Sequence, residues 1–201
     1  MMKKFLLTLI SAVLLTFGAH AADNTKVADN AKPASNSLDM ENILLMKLKD
    51  GKVMIQMYPD KAPNHVARIK ELTRQKFYDG LKFHRVIDGF MAQTGDPLGN
   101  GTGGSGKKLK AEFNDLHHGR GTVSMARASD PDSADSQFFI CFADAGNLDG
   151  QYTVWGKVIE GMEFVDKIKR GDKNNNGAVE EPADTIISMA VLGDVSTPTK
   201  K

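Results

Sequence analysis

The sequence contains one cysteine, one tryptophan and no excess of either charge among its 201 residues. A lone Cys141 cannot form an intramolecular disulfide, so a disulfide-stapled scaffold is excluded. Lys and Arg total 26 against 25 Asp and Glu, which argues against a large electrostatic interface with nucleic acid. G-x-S-x-G is also missing, and no nucleophile arrangement for hydrolysis remains. With 41% hydrophobic residues, the chain is instead long enough to form one globular domain around a core.

The amino-terminal segment predicts export. Residues 1–21 combine Lys3 and Lys4, the apolar run Phe5 to Gly18 and an A-x-A site at Ala19 to Ala21, as in a secretory signal peptide. A retained membrane anchor is the competing interpretation, but the run is shorter than the ~20 residues that span a bilayer. We therefore expect no stable membrane insertion after cleavage, and a periplasmic location if the source is a Gram-negative bacterium. Residues 22–40 have no hydrophobic period and predict a flexible tether.

Short apolar runs broken by turn residues predict a mainly β domain over 41–194, followed by a tail at 195–201. The domain opens with a hairpin, in which Ile43 to Leu48 and Lys52 to Tyr58 flank an Asp50-Gly51 turn. Pro63 starts an amphipathic helix that continues towards Phe77, and a second helical pattern contains Met162, Val165 and Ile168.

Three motif matches fail on their context, so we expect neither a metal nor a cofactor. Gly99 to Gly104 fits G-x-G-x-x-G but is a glycine-rich loop without the flanking strand and helix. His117-His118 are adjacent and point to opposite sides of an extended chain, which favours a solvated loop over a metal site. Asp172 to Gly177 resembles half a calcium loop but lacks the final glutamate, leaving a turn-rich loop with weak cation binding as a minor alternative. His65 is expected to be a solvated surface residue.

Two stretches carry the candidate chemistry. The first, Leu81 to Asp96, places Arg85 and Gln93 among large apolar side chains, and the second runs from Val123 to Cys141. A guanidinium keeps its charge and offers five donors, while an amide both donates and accepts, so the groups suit a neutral amide ligand with an apolar ring. The alternative is a core strand and turn, with the arginine stem lying on the core. Strand alternation also puts Phe138 and Phe139 on opposite faces, so at most one of them faces a groove.

The motifs FHRVIDGFMAQTGD, GTGG, VSMARA, SQFFIC and LDGQYTVWGKV occur in this order between Ile43 and Leu192. Together they resemble the cyclophilin family of peptidyl-prolyl cis-trans isomerases. The resemblance implies a closed eight-stranded antiparallel barrel capped by a helix at each end. It also implies, as partners, proline-containing polypeptides in unfolded or extended form, and we expect a monomer.

The resemblance assigns roles to thirteen residues. Arg85 matches the catalytic donor, which would hydrogen-bond the prolyl nitrogen and weaken amide resonance. The remaining twelve match substrate-binding positions: Phe90, Met91, Phe139 and Leu148 for the proline ring; Tyr152 as a further wall of that pocket; Gln93 for the carbonyl side; Gly101 and Thr102 in the bordering loop; Ala126, Arg127 and Ala128 at the backbone-pairing edge; and Gln137 in the same groove.

Two positions depart from the best-known eukaryotic pattern. Asn147 stands where that pattern has a tryptophan that contacts cyclosporin, which puts tight drug binding in doubt, and Tyr152 replaces a histidine. Three functions stay open at this point. They are an exported prolyl isomerase assisting folding, a proline-peptide binding module or holding chaperone with incidental catalysis, and an extracellular interaction protein that captures one partner.

Overall fold

The computed structural model describes residues 39–196. The predicted signal peptide at 1–21, nearly all of the predicted tether and the end of the predicted tail lie outside these residues. Within them, no helix is long and apolar enough to cross a membrane.

Eight strands form one sheet, and every neighbouring pair in it is antiparallel. The strands are β1 (Ile43–Lys47), β2 (Lys52–Met57), β3 (Arg85–Ile87), β4 (Met91–Thr94), β5 (Thr122–Met125), β6 (Phe138–Cys141), β7 (Val154–Glu160) and β8 (Ser188–Val191). Their order is β3-β4-β6-β5-β7-β2-β1-β8. The prediction of a mainly β, eight-stranded antiparallel fold is therefore confirmed.

The predicted closure of the barrel is not supported, because the sheet is a curled half-barrel whose edge strands β3 and β8 do not pair. The segment before β8 borders β3 instead. Val86 N–H donates to the Gly177 carbonyl at 2.7 Å, and Phe83 N–H donates to the Asp184 carbonyl at 2.9 Å. This segment is rich in Gly, Asn and Pro, which are poor strand formers, so it makes single bonds rather than a ladder.

Three helices pack on the sheet, where two were expected. They are α1 (Pro63–Arg74), α2 (Met162–Val165) and α3 (Leu192–Ser196). Helix α1 begins at the predicted proline and packs against β8, whereas α2 is a single turn that ends before Ile168. Helix α3 lies where the sequence shows only the end of an apolar strand, and five residues are too few for a helical period to be recognised.

Strand alternation creates two apolar clusters on opposite faces of the sheet. Phe138 belongs to the main core, where its ring meets the Trp155 ring edge-on at 5.5 Å. Its neighbour Phe139 belongs to a smaller cluster with Met91, Cys141 and Leu148. The prediction that Phe138 and Phe139 diverge is thus confirmed, and the smaller cluster marks the face that carries the candidate site.

Two histidines expected at the surface are buried. His65 lies on the inner side of α1, with its Nδ1 2.6 Å from Glu112 Oε2. His118 lies under the sheet face, with Nδ1 2.8 Å from Asp149 Oδ1 and Nε2 3.0 Å from Ser124 Oγ. A polar ring is tolerated inside when it finds partners, and two of these partners, Glu112 and Asp149, are distant in sequence. His117 is half-exposed, as expected for a solvated loop.

Candidate active site

The site is built on a row of side chains that crosses four neighbouring strands. Arg85 on β3 lies opposite Gln93 on β4, Gln93 lies opposite Phe139 on β6, and Phe139 lies opposite Ser124 on β5. Residues directly opposite in antiparallel strands project from the same face, so one charged, one amide and one aromatic group are held side by side.

An apolar pocket of about 160 Å³ opens beside this row, and we call it the proline pocket. It is lined by Arg85, Phe90, Met91, Gln93, Ala126, Arg127, Phe139, Leu148 and Tyr152. The Tyr152 ring meets the Phe139 ring edge-on at 5.9 Å, and the His118 ring stacks on Phe139 at 6.2 Å. Aromatic contacts of this kind fix ring orientation, so the wall of the pocket is rigid.

A second pocket, of about 210 Å³, shares Gln93, Ala126 and Arg127 with the proline pocket, and we call it the side pocket. It is lined by Gln93, Gly101, Thr102, Gly103, Ala126, Arg127, Ala128, Ser133, Asp135 and Gln137. Gln137 Nε2 donates to the carbonyls of Gly101 at 3.1 Å and Gly103 at 2.8 Å, which ties the glycine loop to β6. All thirteen residues predicted for the site line one of these two pockets.

The Arg85 guanidinium is held from two sides. Its Nη1 donates to Gln93 Oε1 at 3.2 Å, and Gln93 Nε2 in turn donates to Gln137 Oε1 at 2.9 Å. On the other side, Nε donates to the Asn176 carbonyl and Nη2 donates to Asn176 Oδ1, each at 3.0 Å. Partial burial lowers the pKa of Arg85, yet a guanidinium stays charged at any ordinary pH. A fixed cation thus stands at the rim of an apolar pocket.

The family model described as "Cyclophilin type peptidyl-prolyl cis-trans isomerase/CLD" matches residues 43–191, which include the whole of this arrangement. The chain belongs to the cyclophilin family. Its activity is peptidyl-prolyl cis-trans isomerisation, and the interpretation of Leu81 to Asp96 as merely a core strand and turn is set aside.

Relatives and solved cyclophilins agree with this assignment. The chain is 53% identical over 168 residues to a probable peptidyl-prolyl cis-trans isomerase of Brucella suis, covering 78% of this chain and 85% of the relative. It is 45% identical over 136 residues to peptidyl-prolyl cis-trans isomerase B of Bacillus subtilis, covering 66% and 94%. A Hirschia baltica cyclophilin superposes with a TM-score of 0.69 at 28% identity, covering 79% and 76%. A Cryptosporidium parvum cyclophilin, crystallised in the presence of the dipeptide Ala-Pro, gives 0.68 at 28% identity, covering 74% and 98%.

Arg127 stabilises the pocket wall of this cyclophilin rather than offering free donors. Its Nε and Nη2 donate to the Gln151 carbonyl at 3.1 and 2.9 Å, and its guanidinium lies over the Tyr152 ring at 4.6 Å from the centroid. The N–H groups of Ala126 and Ala128 are also occupied, by the Gln137 carbonyl and by Ser133 Oγ. Of this predicted edge, the Ala126 carbonyl and the backbone N–H and carbonyl of Arg127 make no hydrogen bond within residues 39–196.

Sequence reasoning missed four residues of this site: Gly103, Ser133, Asp135 and Asn176. Asn176 lies in the segment that was compared with a calcium loop, and it adopts a left-handed backbone with φ of 50°. Asn tolerates this conformation, and the following Gly177 gives a recognisable turn signal. No pattern links that turn to an arginine 91 residues away, so the contact is visible only in the folded chain.

The other groups near the site favour no further chemistry. Burial raises the pKa of the Cys141 thiol to about 12, and burial lowers the pKa of His84. Among residues 39–196, no group of three or more His, Cys, Asp or Glu side chains is placed to hold a metal ion. The arrangement therefore depends on Arg85, its amide neighbours and the apolar pocket.

Proposed function

We propose that this cyclophilin accelerates rotation about X-Pro bonds in exported polypeptides, with Arg85 as the catalytic residue, and so assists their folding. The observation that carries the proposal is the charged, doubly anchored guanidinium at the rim of the proline pocket.

The chemistry requires no bond to break. Amide resonance opposes rotation with a barrier of ~18 to 20 kcal/mol, because the prolyl nitrogen shares its lone pair with the carbonyl. As the bond twists, this lone pair leaves conjugation and becomes a better hydrogen-bond acceptor. A donor from Arg85 would therefore bind the twisted state more strongly than either planar state, which is the condition for catalysis.

The pocket supplies orientation and a dry environment. A proline ring has no N–H, so a pocket lined by Phe90, Met91, Phe139 and Leu148 can enclose it without leaving a donor unsatisfied. Gln93, held between Arg85 and Gln137, would bond a substrate carbonyl next to the ring through its second Nε2 hydrogen. In such surroundings a preorganised charged donor stabilises the transition state more than it would in water. The Ala-Pro dipeptide named for the Cryptosporidium parvum relative is the kind of ligand that we propose for this pocket.

Export is the part of the proposal that rests on the sequence of residues 1–21. We propose cleavage after Ala21 and release of a monomer, into the periplasm if the source has an outer membrane. Amino-terminal sequencing and size-exclusion chromatography of protein recovered from outside the cytoplasm test both points. A protein that starts at Met1 or stays in the cytoplasm would contradict export.

Cis-to-trans exchange of an Ala-Pro peptide, measured with the purified protein, tests the catalytic role. Arg85→Ala removes the donor, and loss of one preorganised donor of this kind typically lowers the rate about 100- to 1,000-fold. Arg85→Lys keeps the positive charge but loses the planar arrangement of guanidinium donors, so its rate should lie between those of Arg85→Ala and the wild type. Arg120→Ala, which removes a surface arginine paired with Asp166, is the matched control and should leave the rate unchanged.

Two results would overturn parts of the proposal. A folded Arg85→Ala variant with the wild-type rate would exclude Arg85 as the donor. If that variant loses the rate but still supports the protein's role in the cell, binding of proline segments would be the better account of its biology.

A further inference from the structure

Apart from the proline pocket and the side pocket, a groove of about 360 Å³ lies between α1 and the end of the glycine-rich loop, and we call it the basic groove. It is lined by Asn64, Ala67, Arg68, Glu71, Lys107, Lys108, Leu109 and Lys110. Four of these side chains are cationic and one is acidic, although the chain as a whole is close to neutral.

The positive charge of this groove is largely uncompensated. Lys107, Lys108 and Lys110 are exposed, and none of them forms an ion pair or side-chain hydrogen bond with another residue of the described range 39–196. The one carboxylate of the lining, Glu71, is paired with Arg68 Nη1 at 2.8 Å and interacts with Lys107 only electrostatically. By contrast, Lys61, which precedes α1, is paired with Asp115 at 2.6 Å. Three lysines therefore remain available to an anionic ligand.

The lysines are presented by an anchored segment. Leu109, between Lys108 and Lys110, is buried, and its N–H donates to the Ala134 carbonyl at 2.8 Å. The N–H of Ala111 donates to Asp132 Oδ1, also at 2.8 Å. The backbone that carries the charges is thus held in place before any ligand arrives, which reduces the entropy lost on binding.

The basic groove is directly connected to the substrate site. Arg68 Nη2 donates to Ser105 Oγ at 2.8 Å, and Ser105 N–H donates at 2.7 Å to Asp135, which lines the side pocket. Gly103 of the side pocket is four residues from Lys107 of the basic groove, so their Cα atoms are at most ~14 Å apart. An extended polypeptide covers such a distance with about four or five residues, in addition to those that run from the proline pocket to the side pocket.

We propose that the basic groove binds an acidic stretch of the same polypeptide whose X-Pro bond lies in the proline pocket. The proposal rests on the proposed function and adds a class of substrate, namely chains with Asp or Glu a few residues from the proline. The surface favours a polypeptide over a lipid bilayer because it is a concave groove, with apolar Ala67 and Leu109 and the amide of Asn64 beside the charges. An extended chain can use all three kinds of contact, whereas a flat membrane surface reaches mainly the lysine tips.

The test compares X-Pro peptides that differ only in a block of three Glu or three Gln, placed four to seven residues before or after the proline. For the wild-type protein at low salt, we expect the Glu block to lower KM about three- to tenfold relative to the Gln block in one of the two placements, before or after the proline, with the same kcat. The preference should disappear in the triple variant Lys107→Gln, Lys108→Gln, Lys110→Gln, and it should weaken with added salt.

A second triple variant serves as the matched control: Lys47→Gln, Lys52→Gln, Lys157→Gln. These lysines are equally exposed but lie on β1, β2 and β7, outside both pockets and the basic groove. The control changes the net charge by the same amount and should retain the preference for the Glu peptide.

The outcomes separate this proposal from the proposed function. Slow isomerisation of all peptides, Gln peptides included, would refute the proposed function, and binding of the Glu peptide to the two triple variants would then still test the groove. Equal KM for the Glu and Gln peptides, or loss of the preference in both triple variants, would overturn the groove proposal. So would binding to anionic phospholipid vesicles that depends on Lys107, Lys108 and Lys110 without any preference for the Glu peptide.

Discussion

Asn176 offers a sharp test of how the catalytic guanidinium is positioned. It bonds Arg85 twice, once through its backbone carbonyl and once through Oδ1, each at 3.0 Å. Its left-handed backbone, with φ of 50°, is also available to glycine. Asn176→Gly should therefore remove the side-chain bond alone, while the carbonyl bond and the Gln93 contact remain.

The size of the effect follows from the lost bond. A hydrogen bond to a charged group contributes about 1.5 to 3 kcal/mol, and water can partly replace an exposed acceptor such as Asn176, so we expect about 1 to 1.5 kcal/mol. This corresponds to a reduction of kcat/KM by about five- to thirteenfold. The loss should appear mainly in kcat, because a loosened Arg85 impairs the twisted state more than binding of the planar substrate.

Two-dimensional NMR exchange on an Ala-Pro peptide gives the rates, and the Arg85 Nη–H signals report the loss of the side-chain bond, which is made by Nη2. Asn175→Gly is the matched control, since Asn175 is an exposed neighbour whose side chain makes no described contact with Arg85. If Asn176→Gly and Asn175→Gly have the same activity, the side chain of Asn176 does not position the donor. Unchanged Arg85 Nη–H signals together with reduced activity would equally contradict the reasoning.

The remaining predictions concern packing, thiol chemistry and pH. Phe138→Ala should lower the free energy of unfolding by about 3 to 5 kcal/mol, because Phe138 belongs to the main core. Phe139→Ala should lower the free energy of unfolding by less and should raise KM, because only Phe139 lines the proline pocket. Equal losses of unfolding free energy with unchanged KM would contradict this. Cys141 should react with a thiol reagent only after denaturation, because burial raises its pKa to about 12, and rapid labelling of folded protein would disprove it. His117 lies between Asp149 and Asp144, which raise its pKa above the ordinary value of about 6.5. The folded state thus holds this proton more tightly, so the stabilisation is complete below about pH 6.5 and is lost as pH rises through the raised pKa. Unfolding measured from pH 5 to 9 should show this fall, and His117→Gln should flatten it; an identical profile in the variant would exclude the pair.

Most side chains of the site were predictable because the resemblance to the family assigns them, and strand alternation separates Phe138 in the core from Phe139 in the pocket. Strand pairing then brings Arg85 and Gln93 to the same face as Phe139. Buried polar contacts were not predictable in this way. His65 and His118 were expected in solvent because no sequence pattern identifies Glu112 and Ser124 as their hydrogen-bond partners.

The sequence alone determined the family and the mainly β architecture, because these follow from motifs that are contiguous in the chain and from short-range periodicity. The resemblance to the family then implied the eight antiparallel strands and thirteen of the residues that line the two pockets. Only the tertiary structure decided that the sheet stays open between β3 and β8, that Asn176 holds Arg85, and that three unpaired lysines border a groove next to the substrate site. Each of these depends on which distant segments meet. A hydrogen bond or an unpaired charge is defined by its neighbours in space, and spacing along the chain does not specify them.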